Sequence, residues 1–121
     1  MPNETILVAD DSPTEQKMVT TALKSQGYRV ITAVDGEDAI DKATREAPRV
    51  VVLDVVMPKK NGFQVCRHLK STPATQNIKV LLLTSKNQES DKFWGMKQGA
   101  DAYMTKPFSE AELQSAVAKL I

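Results

Sequence analysis

The sequence predicts an α/β fold, a doubly wound parallel sheet built from five strand–helix units. Short apolar runs alternate with longer segments of helical periodicity along the whole chain. Two of the runs, residues 50–53 and 80–83, contain no polar residue, which is typical of central strands covered on both faces. Three helical segments follow a Ser or Asp that can cap them. We therefore expect a (βα)5 arrangement with right-handed crossovers.

Each element follows from its own local signals. The first strand, residues 5–9, precedes Ser12, which can cap a helix; Pro13 suits the first helical position and Glu15 completes a capping box. The other strands are predicted over residues 28–33, 50–53, 80–83 and 102–104. Gly27 is predicted to end the first helix, and Asp35 to cap the second, with Pro48 beyond its end. The fourth helix is predicted from about Gln88 to near Gly99. Ser109 and Glu112 can form a capping box at the start of the fifth helix.

Apolar residues at helical spacing predict which face of each helix packs on the sheet. In the fourth helix, Phe93 and Met96 are predicted to point inward, which leaves Trp94 at the flank. Cys66 is predicted to be a buried structural thiol and His68 a surface residue. The predicted inner faces of the other helices are Met18, Val19, Ala22 and Leu23; Ala39, Ile40 and Ala43; Phe63, Cys66 and Leu69; and Leu113, Ala116, Val117 and Leu120.

Composition narrows the class of protein. The 121 residues fit one domain, residues 1–121, and the formal net charge of +1 gives no support for a nucleic-acid partner. Cys66 is the only cysteine, so neither an internal disulfide nor a thiolate metal cluster is expected. The N-terminus has no basic region followed by a long apolar stretch. We expect a cytoplasmic protein without membrane insertion and without an output domain.

Polar residues that carry chemistry follow four of the five predicted strands. In open α/β sheets, ligands bind at the carboxyl ends of the strands. Those ends lead to Asp10 and Asp11, Asp54, Thr84 and Lys106. Taken singly, the two adjacent aspartates could cap a helix, Asp54 could be a turn residue, Thr84 a strand-end hydroxyl, and Lys106 a solvated loop charge. Their joint placement at one sheet edge favours a site.

This set of residues is suited to phosphoryl transfer. Three close carboxylates repel one another, and a divalent cation relieves the repulsion. Oxygen ligands without His or Cys favour Mg²⁺ over zinc. Lys106 would pair with remaining negative charge, and Thr84 could donate a hydrogen bond to a phosphoryl group. An aspartate can act as the nucleophile and form an acyl phosphate.

Specific segments carry a family resemblance over the entire length of the chain. They are ILVADDS (6–12), VVLDVVMPKKNG (51–62), LLLTS (81–85), GADAYMTKPF (99–108) and the closing amphipathic helix. With these segments the chain resembles a response-regulator receiver domain of the CheY type. Residues 87–100 are similar to PilH-type regulators of pilus motility. The resemblance implies the flavodoxin-like strand order 2-1-3-4-5.

The resemblance also implies roles for the site residues. Asp54 would be the phosphoacceptor. Mg²⁺ would be bound by the carboxylates of Asp11 and Asp54, by the backbone carbonyl of Val56, and by Asp10 mainly through water. The segments Met57-Pro58 and Asn61-Gly62 would shape the loop after the acceptor.

Further implied roles concern the fourth and fifth strands. Thr84 would hydrogen-bond the phosphoryl group and Lys106 would pair with it, with a cis peptide between Lys106 and Pro107. Tyr103 would be a rotating aromatic ring coupled to Thr84. Val56 and Lys86 are variable positions beside the site, and both would alter the lifetime of the acyl phosphate.

The implied function is that of a response regulator in two-component signalling. A histidine kinase or a phosphotransfer domain would supply the phosphoryl group. The protein would be a stoichiometric acceptor that assists its own phosphorylation and dephosphorylation, and not an enzyme. It would act as a phosphate sink or bind a downstream target through the face of the fourth helix, fifth strand and fifth helix, which carries Lys86, Lys92, Trp94, Lys97 and Lys119.

Two alternatives belong to other functional classes. A small Mg²⁺-dependent phosphatase also uses an aspartyl nucleophile. In that class the nucleophile would follow the first strand, usually with a second Asp two residues later, whereas Asp10 and Asp11 are adjacent. A degenerate receiver could act as a constitutive scaffold. The complete set of three acids, Thr84 and Lys106 argues against the scaffold.

Overall fold

A computed structural model gives the arrangement of residues 4–85 and 89–121, with only the backbone of residues 89–91 described. Five parallel strands form one sheet in the order β2-β1-β3-β4-β5, which confirms the predicted fold and strand order. The strands are β1 (Thr5–Ala9), β2 (Arg29–Ala33), β3 (Val50–Asp54), β4 (Lys79–Thr84) and β5 (Ala102–Thr105). The helices are α1 (Pro13–Lys24), α2 (Gly36–Glu46), α3 (Gly62–Ser71), α4 (Glu89–Lys97) and α5 (Glu110–Ala118).

The register of the central strands brings their carboxyl ends together. Ala9, the last residue of β1, pairs with Leu53 of β3, and Asp54 pairs with Leu83 of β4. Thr84 then pairs with Thr105 at the end of β5. Polar residues at or just beyond these positions therefore lie along one edge of the sheet.

Alternate residues of the strands feed two separate cores, one on each face of the sheet. One core joins β-strand side chains such as Leu7 and Leu82 to the inner faces of α2 and α3, including the fully buried Cys66. The other joins Ile6 and its neighbours to α1 and α5 through Val19, Ala22, Leu23, Leu113 and Val117. Because a core covers each face of the sheet, the inner residues of β1, β3 and β4 are apolar on both sides.

The capping predictions are confirmed, except that Glu15 does not complete a capping box at α1. Asp35 accepts a hydrogen bond from the Asp38 backbone, and Ser109 forms the predicted capping box with Glu112. Ser12 caps α1 through the backbone N–H of Glu15. The Glu15 carboxylate does not complete a capping box; it contacts Lys106 instead. The backbone N–H of Ser12 donates to Asp10 Oδ1, so a carboxylate already satisfies that donor.

Two predictions about inward-facing residues are wrong. Met18 is 55% exposed, because it lies about a quarter turn from the centre of the buried stripe of α1. Phe93 and Met96 are 66% and 41% exposed. Among residues 92–97 of α4, for which side chains are described, the buried position is Gly95, where an added Cβ would lie 3.0 Å from Leu82 Cδ1 and 3.1 Å from Tyr103 Cδ2. Those side chains already fill the gap, so α4 presents a glycine there and its large residues face outward.

The loop after β3 is held close to the sheet by two glycines. Gly62 donates its N–H to the Val55 carbonyl at 2.8 Å, and a Cβ there would lie 2.7 Å from the Asp54 carbonyl oxygen. A Cβ on Gly36 would lie 2.1 Å from the Lys60 carbonyl oxygen. Neither position can accept a side chain without backbone movement, so the loop following Asp54 has a fixed course. Among the described residues, no helix is long and apolar enough to cross a membrane.

Candidate functional site

Three aspartates gather where β1 and β3 end. Asp10 and Asp11 follow β1 directly, and Asp54 is the last residue of β3. One carboxylate oxygen from each lies within 4.8 Å of the others. Asp10 is 3% exposed and Asp54 is 8% exposed, whereas Asp11 is open to solvent. The predicted convergence of the three acids is therefore present in the structure.

Hydrogen bonds fix Asp10 on both its backbone and its side chain. Its N–H donates to the Ala33 carbonyl at 3.1 Å, and its Oδ1 accepts from the Ser12 N–H at 2.9 Å. Gln16 Nε2 donates to the Asp10 carbonyl at 3.1 Å and to the Ala33 carbonyl at 3.0 Å. The β1–α1 turn thus holds this carboxylate in place beside Asp54.

The ammonium of Lys106 lies against the same cluster. Lys106 Nζ is 3.2 Å from Asp54 Oδ1 and 3.8 Å from Asp10 Oδ2, and it contacts Glu15 Oε1. The Lys106 backbone N–H donates to the Thr84 carbonyl at 2.7 Å, which ties the β5–α5 loop to the end of β4. The Lys106–Pro107 peptide is cis, as the resemblance implied.

Thr84 of β4 and Tyr103 of β5 are two further predicted site residues. Thr84 is completely buried at the end of β4, one residue beyond the residue paired with Asp54. Tyr103 is half-buried and packs against the core on the α3 side, next to Gly95 of α4. Thr84 therefore lies at the same edge of the sheet as the acids, and Tyr103 lies next to α4.

Burial and mutual repulsion raise the pKa values of the two inner acids. Removal from water raises the pKa of Asp54 to about 6, with help from the charges of Asp10 and Glu15 and against the attraction of Lys106. Burial likewise raises the pKa of Asp10, against the Ser12 N–H bond and the Lys106 charge. Burial acts to lower the pKa of Lys106, but the Glu15 hydrogen bond and the charges of Asp54 and Asp10 outweigh it, so that pKa is raised. Within the part of the chain that the structure describes, Lys106 is the one cation that contacts these acids, and its single charge does not neutralise all of them.

This shift predicts a pH-dependent stability that Asp54→Asn removes. The pKa of Asp54 in the folded protein, about 6, lies above its ordinary value of 3.8. Between these values the folded chain keeps a proton that the unfolded chain has lost, so this carboxyl makes the fold less stable as pH rises from about 4 to above 6. Without divalent cations, the stability of Asp54→Asn relative to wild type should therefore rise over that range by about 3 kcal/mol. Urea unfolding at several pH values measures the difference; a difference that is independent of pH would contradict the assigned environment.

The chemistry of the donor set fits a hard divalent cation. Three carboxylates supply oxygen ligands only, and two of them are buried with a raised pKa, so a cation would relieve their repulsion. Among the residues that the structure describes, no His or Cys joins the group of three acids. The Val56 side chain is 58% exposed beside it. Lys86, the other predicted neighbour, lies outside the described residues.

Sequence reasoning missed two residues of the site. The sequence predicts a capping role for Glu15 and no role for Gln16, yet Glu15 contacts Lys106 and Gln16 links the ends of β1 and β2. Glu15 and Lys106 are 91 positions apart, so no local pattern could have indicated their contact. At most, the helical periodicity of α1 could have indicated that Glu15 lies on the side of the helix that faces the β5–α5 loop.

The outer surface of α4 carries exposed aromatic and basic residues. Phe93 and Trp94 are 66% and 51% exposed, and Met96 lies beside them. Lys97 Nζ lies 5.5 Å from the centroid of the Phe93 ring, a cation–π geometry, and Lys92 is also exposed. We name these five residues the α4 patch. Lys119 of α5 is exposed as well, and His68 is exposed as predicted.

Comparisons with known proteins agree with this geometry. The family model described as "Response regulator receiver domain" matches residues 6–118. Protein PilH of Pseudomonas aeruginosa is 45% identical over 112 residues, which are 93% of this chain and 93% of that protein. The regulatory protein PhoP of Bacillus subtilis, named for alkaline phosphatase synthesis and transcriptional regulation, is 43% identical over 98% of this chain but only 49% of its own length. This chain thus spans about half of that relative.

A solved structure shares the fold. The receiver domain of a sensor histidine kinase from Pseudomonas aeruginosa superimposes with a TM-score of 0.90 at 27% identity, over 98% of this chain and 97% of that one. It is described with a magnesium ion coordinated in its active-site cleft.

Proposed function

The chain belongs to the response regulator receiver domain family of two-component signalling, and from this premise we propose that Asp54 accepts a phosphoryl group in a Mg²⁺-dependent reaction. One observation carries the proposal. The Asp54 carboxylate ends β3 with two further carboxylates within 4.8 Å and the Lys106 ammonium at 3.2 Å. A nucleophile, a cation site and a fixed positive charge therefore share one cleft.

Asp54 supplies the nucleophile. A phosphohistidine of a histidine kinase or phosphotransfer domain is the proposed donor. An Asp54 carboxylate oxygen bonds to phosphorus as the phosphorus–nitrogen bond breaks, and the imidazole nitrogen takes the released electron pair. The product is an acyl phosphate on Asp54, and its hydrolysis later returns phosphate and the free carboxylate. The chain is a stoichiometric acceptor in this scheme.

Asp11 and Asp54 would hold Mg²⁺ directly, with the Val56 carbonyl as a further ligand and Asp10 acting through water. When bound, the cation neutralises charge on the acids and on the phosphoryl oxygens. The remaining work falls to the protein. Lys106 meets negative charge on the phosphoryl group, and Thr84 donates a hydrogen bond to it.

The proposed output is a change at the α4 patch. A phosphoryl group can act only by favouring one of two arrangements of the protein. Thr84 moves toward it, Tyr103 follows, and α4 contacts Tyr103 through Gly95, where a Cβ would lie only 3.1 Å from the ring. The patch combines aromatic residues with Lys92 and Lys97, so we propose a partner with an apolar surface ringed by acidic residues. The 45% sequence identity to PilH supports a role in motility control.

Beryllofluoride tests the proposal, because BeF₃⁻ on a carboxylate mimics a phosphoryl group. With Mg²⁺ present, BeF₃⁻ should shift the amide NMR signals of Asp54, of Tyr103 and of residues around Trp94. The Asp54→Ala variant is the control and should show none of these shifts. Shifts confined to the immediate neighbours of Asp54 would count against coupling to the α4 patch.

A further inference from the structure

A fourth carboxylate, that of Glu15, reaches the ammonium group at the centre of the site. Glu15 lies in the first turn of α1, and its Oε1 contacts Lys106 Nζ. The same nitrogen is 3.2 Å from Asp54 Oδ1 and 3.8 Å from Asp10 Oδ2. One cation therefore interacts with three carboxylates, two from the segment of β1 and α1 and one from the end of β3.

The Glu15 carboxylate is not engaged by its own helix. Ser12 caps α1 using only the Glu15 backbone N–H, at 3.4 Å. The backbone donor that a capping-box glutamate would accept from is already bonded to Asp10 Oδ1, at 2.9 Å. The Glu15 side chain is 41% exposed and the Lys106 side chain 20%, so the pair lies at the mouth of the cleft. Its partner is thus a residue of the site.

We propose that Glu15 is a positioning residue that holds Lys106 while Asp54 is free and competes with any anion placed on Asp54. This inference rests on the proposed function of the same site. A group bound to an Asp54 oxygen carries its negative charge outward from the carboxylate, and Lys106 must turn toward that charge. The contact with Glu15 opposes the turn, because the ion pair between Glu15 and Lys106 must be weakened before the ammonium can move. Glu15 therefore lowers the affinity of the resting site for a phosphoryl-like anion.

The test compares BeF₃⁻ affinity in saturating Mg²⁺ for wild type and Glu15→Gln, which keeps the size of the side chain and removes its charge. We expect the variant to bind BeF₃⁻ about three- to tenfold more tightly. Glu15→Asp, which keeps the charge, should stay closer to wild type. In a Lys106→Gln background the gain from Glu15→Gln should shrink to less than about twofold, because competition for the ammonium no longer exists.

Glu46→Gln is the matched control, because Glu46 also pairs with a cation, Arg29 at 3.8 Å, but lies at the end of α2 far from the acids. It should leave BeF₃⁻ affinity unchanged. Unchanged or weaker binding by Glu15→Gln overturns the inference, as does an equal gain in the Lys106→Gln background. If wild type itself fails to bind BeF₃⁻, the proposed function falls and this inference with it. Normal wild-type binding without the gain refutes the role of Glu15 alone.

Discussion

Asp54→Asn should abolish phosphorylation by acetyl phosphate, with labelling reduced to background. The substitution removes the nucleophilic oxygen but keeps the shape of the side chain, which is 8% exposed and lies within a crowded cleft. Because burial raises the pKa of the wild-type carboxyl, the neutral amide should also be tolerated by the fold at neutral pH. Incorporation of radioactive phosphate in Mg²⁺ buffer measures the effect.

Asp41→Asn is the control for this experiment. Asp41 pairs with Arg45 at 3.0 Å on the exposed face of α2, away from the acids. The control should be labelled as fast as wild type. Full labelling of Asp54→Asn at another residue would remove Asp54 from the proposed role.

A double variant in which Asn replaces both Asp10 and Asp11 should lose the stabilisation that Mg²⁺ gives to the folded protein. A cation that binds only the folded acid cluster stabilises by RT ln(1 + [Mg²⁺]/Kd), about 1.4 kcal/mol at ten times Kd. With two of the three acids neutral, the charge that attracts the cation is largely lost. Thermal unfolding with and without Mg²⁺ gives both values.

The double variant Asp41→Asn, Glu46→Gln is the matched control for the variant with both Asp10 and Asp11 replaced. It removes two charges from ion pairs of α2 and leaves the cleft intact, so it should keep the full response to Mg²⁺. An equal Mg²⁺ response in the Asp10, Asp11 variant would show that the ion binds elsewhere.

The sheet and its acidic edge could be predicted because their signals are local. The unbroken apolar runs of β3 and β4 place Asp54 and Thr84 at strand ends, and parallel ends meet at one edge. The strand order, by contrast, came from resemblance to a family. Periodicity alone does not say which strand lies beside which.

Two local patterns led to wrong predictions because contacts with distant parts of the chain decide the surroundings of these residues. The helical spacing of Phe93 and Met96 predicts that they face the sheet. The space between α4 and the sheet is filled by Leu82 and Tyr103, however, and the helix has Gly95 at that point. Glu15 matched a capping box, but a tertiary ion pair with Lys106 replaced the local hydrogen bond. In both places tertiary contacts overrode a local pattern.

The most direct test of the central claim is to find which carboxylate becomes an acyl phosphate. Wild-type protein is phosphorylated with acetyl phosphate in Mg²⁺, treated with borohydride, which reduces an aspartyl phosphate to homoserine, and mapped by mass spectrometry. The account predicts homoserine at position 54, with Asp10 and Asp11 unchanged and with no conversion when Mg²⁺ is chelated. Homoserine at Asp10 or Asp11 with Asp54 intact would contradict it.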